Sequence, residues 1–155
     1  MFLGAVPAFG TLMVSPTFTA NFNTNFGANA AAAQAAWMAA ASIFSSAFSN
    51  NITLNITVDA VSGTGILGQS SQSIVTISYP TLYNLVLAGA TSAADNTATN
   101  SGGSLGGNGT AGSASDPISG AHNWWITTSQ EKLFGLLSGS DAASNGTTTF
   151  GAGFN

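Results

Sequence analysis

Hydrolytic chemistry in a chain of this kind would have to come from very few side chains. One imidazole is present, His122, and the acids are Asp59, Asp95, Asp116, Glu131 and Asp141; there is one Lys, Lys132, no Arg and no Cys. A catalytic metal centre needs about three His, Cys, Asp or Glu ligands converging on one ion. Here no pair stands at helical ligand spacing, so no metal ligand and no catalytic residue is assigned. His122, beside Trp124 and Trp125 at the margin of a polar stretch, reads as a solvated or locally bonded imidazole.

Other chemistries fare no better. Serine is abundant, yet no nucleophile-elbow pattern surrounds any of it. Asp59 and Asp95 would serve glycoside cleavage only if folding joined them. The glycines from Gly102 to Gly112 lack the Lys and Ser/Thr that complete a phosphate loop. Glu131 reads as part of a helix cap, and Trp124 and Trp125 as core or partly buried aromatics, with sugar stacking as the weaker alternative. Asn51, Asn55, Asn108 and Asn145 head Asn-x-Thr triplets, which chance supplies in a chain so rich in Asn and Thr.

Composition narrows the partners. Charged residues are 4% of the 155, and hydrophobic residues 45%, so the surface is solvated by hydroxyls and amides. A formal charge of -4 with a single Lys excludes a phosphate-neutralising footprint, and no nucleic-acid partner is expected. The apolar start, Met1 to Val14, followed by Ser15-Pro-Thr-Phe-Thr-Ala20, reads either as a signal-peptide remnant over 1–20, without a preceding basic residue, or as a buried segment.

The elements that would position a site follow from periodicity. From Asn29 to Phe48, Trp37, Ala40, Phe44 and Phe48 recur at helical spacing in an Ala-rich stretch. Its sparse Leu, Ile and Phe argue against a membrane span. Ile52, Leu54, Ile56 and Val58 alternate with polar residues, predicting a half-buried strand. Ser73 to Ser78 reads as a second strand and Tyr79 to about Ala94 as a helix with Pro80 in its first turn. Residues 95–119, almost all Gly, Ser, Asn, Thr and Ala, predict a flexible loop within one domain over 21–155. Thr128 to Glu131 has capping-box spacing before Leu133, Phe134, Leu136 and Leu137, with Gly139 beyond. Asn145-Gly146 reads as a turn and Thr147 to Phe150 as a strand. The order implies an α/β (α+β) fold: a mixed sheet with covering helices.

Three segments together, Phe22-Asn-Thr-Asn-Phe26, Ala35-Ala-Trp37 through Phe48, and Asn51 to Val58, resemble the start of a family of secreted bacterial zinc metallopeptidases that often carry a PEP-CTERM sorting signal. Ser78-Tyr79, Ile126 to Leu136 and Asn145 to Phe150 resemble later segments of that family in the same order. The resemblance implies an incomplete zincin-like domain lacking the His-Glu-x-x-His helix, hence inactive alone. It further implies zinc in a full-length parent, a protein or peptide substrate, and a secreted location. Residues 147–154 would form an edge strand that receives the substrate, through backbone groups of Thr148, Phe150, Gly151 and Ala152. The competing reading is a non-catalytic exported surface or adhesion module.

Overall fold

The computed structural model describes residues 11–100, 103, 105–107, 109–112, 114–116 and 123–154. A four-stranded sheet is ordered β1 (Met13–Phe18), β2 (Thr53–Val61), β6 (Ser144–Gly151), β3 (Gly68–Ser71). The first three strands run parallel and β3 is antiparallel to β6, so the sheet is mixed, in an α/β architecture. A second sheet of two antiparallel strands, β4 (Ile74–Ser78) and β5 (Asn123–Thr127), carries α3 (Tyr79–Ala88) and α4 (Ala93–Thr99) beside it.

One face of the large sheet carries α1 (Ala20–Phe26) and α2 (Ala30–Ala47). Helix α1 starts where the Thr19 hydroxyl accepts from Phe22 N at 3.0 Å, satisfying one of the donors a helix leaves unpaired at its start. The same hydroxyl donates to Asp59 on β2, which joins the cap to the sheet. Burial of Phe22, Val58, Ala60 and Ala152 makes the core, with Phe18, Phe26, Trp37, Ile56 and Phe150 packed around it. Ring centroids of Phe22 lie 4.9 Å from Phe18 and 4.6 Å from Phe26, tilted as aromatic quadrupoles favour. At the far end of β6, Gly151 is required: a Cβ there would lie 1.8 Å from Ile66 O.

The smaller unit is organised by two tyrosines. Tyr83 donates to Thr99 O at 2.6 Å and accepts from Gly109 N at 3.0 Å, while Tyr79 donates to Leu105 O at 2.8 Å. Trp124 stacks on Tyr79 at 5.0 Å and donates from its indole to Asp116 at 3.3 Å.

Several expectations shift. The stretch read either as a signal remnant or as a buried segment contributes β1 to the sheet from Met13 onward, with Leu12 buried, so the folded unit reaches back past residue 21; residues 1–10 lie outside the described residues. The loop expected over 95–119 starts instead with α4, whose capping box pairs Ser92 with Asp95. Correspondingly, the α3 helix stops at Ala88, where Gly89 caps it, rather than near residue 94. The last helix, α5 (Thr128–Leu133), is capped by Thr127 and Gln130, one residue earlier than the Thr128 to Glu131 spacing implied. The extended run Ser73 to Ser78 supplies β4 of the small sheet, not a strand of the main one.

Candidate functional site

The strand expected at the sheet edge is an inner strand. β6 pairs with β2 through Asn55 to Val61 and with β3 through Gly68 to Ser71. Gly151 N–H donates to Leu67 O at 3.3 Å, Phe150 packs on the core and Ala152 is buried in the following turn. Of Thr148, Phe150, Gly151 and Ala152, none offers backbone to an incoming strand. The local pattern of Thr147 to Phe150 shows a strand; it contains no information on how many neighbours that strand has.

The free edges are β1 and β3, and they differ. Met13 N donates to Ile52 O at 2.9 Å and Thr19 N to Val58 O at 3.0 Å, so odd-numbered residues of β1 turn their N–H toward β2. Pro16 therefore faces outward, where its missing donor costs no ladder bond and leaves that edge a poor template for another strand. On β3 the Gly151 to Leu67 bond sets the alternation of the antiparallel ladder. Gln69 and Ser71 then bond inward to Thr149 and Thr147, while Gly68 and Ser70 turn N–H and C=O to solvent. All four residues of β3 are exposed.

Under α2, the helix-bearing face formed by β1, β2 and β6 is incompletely covered. Two adjoining hollows of about 340 and 370 Å³ share Trp37 and Ala40. Phe26, Phe44, Phe48, Ile56, Thr148 and Phe150 complete much of their lining. The result is an apolar trough between α2 and β6, with Phe44 59% and Phe48 52% exposed along it.

At the start of β6 the trough gives way to a polar cleft of about 420 Å³, lined by Ser70, Ser71, Ser129, Asn145, Gly146 and Thr148 among others. Asn145 is the extra residue of a bulge: Asn55 pairs with Ser144 and Ile56 with Gly146. Its side chain replaces the lost ladder partner, Oδ1 accepting from Asn55 N at 2.8 Å. The same oxygen accepts from Lys132 Nζ at 2.9 Å, and that ammonium also donates to Thr53 O at 2.8 Å and Ala143 O at 3.4 Å. Lys132 is 3% exposed; burial pulls its pKa below the usual lysine range, partly offset by Asp141. Two buried polar atoms among the described residues lack a hydrogen-bond partner, Asn145 Nδ2 and Thr148 Oγ1, and both residues line this cleft. An unpaired buried donor costs about 1–3 kcal/mol. Sequence reasoning passed over Lys132 and took Asn145-Gly146 for a turn. A glycine directly ahead of the β-branched run Thr147–Thr149 was the available sign of a bulge.

The remaining acids serve local structure. Asp59 holds Thr19, Asp141 accepts from Ala143 N at 2.7 Å, and Glu131 lies in the first turn of α5. Asp95 caps α4, and the N–H and hydroxyl donors of Ser92, with Thr91 N–H, hold its carboxyl below the usual range. His122 lies outside the described residues. Among those described, no three His, Cys, Asp or Glu side chains converge. Among the described residues, the donor set does not fit a zinc centre. No described helix is long and apolar enough to cross a membrane.

No protein-family model, curated protein or solved structure significantly matches the chain.

Proposed function

We propose that this chain is the N-terminal portion of a secreted zinc-dependent metallopeptidase, contributing the strand edge that aligns an extended peptide. In this reading zinc is held by residues beyond those described, and the chain alone is not catalytically competent. The resemblance of residues 18 to 155 to that family motivates the reading. One observation carries it: β3 is an edge strand whose four residues are exposed and whose Gly68 and Ser70 turn their backbone away from β6. Backbone pairing on such an edge supplies affinity for a peptide of almost any sequence, as a protease needs. The substrate-binding backbone thus moves from Thr148, Phe150, Gly151 and Ala152 to β3.

The test has two arms. The gene is read and expressed beyond codon 155: the longer product carries a His-Glu-x-x-His segment, binds zinc and cleaves casein, whereas the 155-residue chain does neither. A stop codon directly after Asn155, or chelator-sensitive casein cleavage by the 155-residue chain, overturns the reading.

A non-catalytic exported surface module is the second reading, and Trp125 favours it. The indole is 63% exposed, on the same face of the small sheet as Thr76, Ser78, Asn123 and Thr127. An aromatic plane beside hydroxyls and an amide suits a sugar ring. Quenching or a blue shift of tryptophan emission by neutral oligosaccharides, lost in Trp125→Ala, supports this reading; unchanged emission counts against it.

A further inference from the structure

Behind the cleft at the start of β6, on the other side of Asn145, lies a buried cation that no carboxylate among the described residues contacts. Lys132 Nζ meets three neutral oxygens, those of Thr53, Ala143 and Asn145. The orientation of the Asn145 amide is set by this arrangement. Both Lys132 Nζ and Asn55 N are donors and both point at one atom, which must be oxygen. A flipped amide would oppose donor to donor twice. Nδ2 is therefore the group left over, and it is buried without a partner. Its N–H bonds are polarised by the ammonium on the other side of the same amide. Ser70, Ser71, Ser129 and Thr148 also line the cleft, and Thr148 Oγ1 is likewise buried without a partner.

We propose that this cleft binds a carboxylate, held by its polar lining and drawn toward the buried Asn145 Nδ2, with Lys132 as the buried countercharge behind that amide. A carboxylate is acceptor-only and so answers a cluster of donors, and its negative charge adds to that of Asp141 in balancing an ammonium that no described carboxylate contacts. Asn145 transmits the charge while keeping it out of direct contact. This site is independent of the peptidase reading: it needs neither zinc nor a peptide strand added to β3.

The experiment uses the 155-residue chain, ¹⁵N-labelled, with the Asn145 side-chain amide followed by NMR. The probes are acetate, N-acetyl-Ala-Ala with a free carboxylate, and N-acetyl-Ala-Ala-amide. Saturable displacement of the Asn145 amide by an acid, with at least tenfold weaker response to the peptide amide, is the expected result. Acetate acting alone points to a small free acid, and tighter binding of the acid peptide to a peptide C-terminus. Thr148→Val and Ser129→Ala lower the affinity severalfold while leaving the amide spectrum away from the cleft unchanged. Equal responses to the acid and amide peptides, or no saturable displacement by either acid, overturn the proposal.

Discussion

Lys132 and Asn145, thirteen residues apart, meet inside the protein at 2.9 Å, and their contact ties α5 to the bulge of β6. The asparagine oxygen serves two donors at once, the ammonium and the Asn55 backbone N–H. Losing it strands both.

Asn145→Ala should destabilise the fold by about 3 kcal/mol, because a charged and a neutral buried donor each lose an acceptor. Asn145→Asp keeps an acceptor for both, removes the unpaired Nδ2 and sets a carboxylate against Lys132. It should retain most of the wild-type stability. Urea unfolding of the two variants measures the difference; equal losses would show that the oxygen is not what holds this corner.

Ser70→Pro and Ser71→Pro separate the two sides of β3. The Ser70 N–H faces solvent and that of Ser71 bonds to β6. The first substitution should leave the fold intact and abolish capture of extended peptides. The second should cost about 3 kcal/mol or more of stability. Peptide titration and thermal melting of each variant decide; a Ser70→Pro protein that still binds peptide places the docking surface elsewhere.

Tyr83→Phe should loosen the glycine-rich segment without disturbing the large sheet. The hydroxyl, fully enclosed, donates to Thr99 O and accepts from Gly109 N, so its removal costs about 1–3 kcal/mol. Hydrogen exchange should quicken at Gly109 and Asn100 and remain slow at Val58. Gly107→Ala should act in the same region, since its Cβ would lie 2.2 Å from the Tyr83 ring.

Acid should fray α4 first. The folded-state pKa of Asp95 is depressed by the N–H and hydroxyl donors of Ser92 and the N–H of Thr91. Its contribution is therefore fully present above the ordinary aspartate pKa of 3.8 and lost as pH falls through the lower folded value. Amide exchange across Ala93–Thr99 checks this, and Asp95→Asn should remove the pH dependence.

Much of the local structure was legible in the residues. The Ala-rich run to Phe48 folds as α2, and the alternation from Ile52 to Val58 as β2, because a 3.6-residue or two-residue apolar period leaves one face to bury. The small inventory of charged side chains likewise set, before any folding, how little metal or proton-transfer chemistry the chain could assemble by itself. Strand order was a different matter. That Thr147 to Phe150 sits inside the sheet, that Gly68 to Ser71 forms its open edge, and that the apolar start supplies β1 all depend on pairing between distant segments, which no local period records. The same holds for Lys132, which a sequence reader places on the surface. Only packing of α5 against β2 and β6 brings three oxygens around the ammonium, and burial without them would be too costly for a charged group.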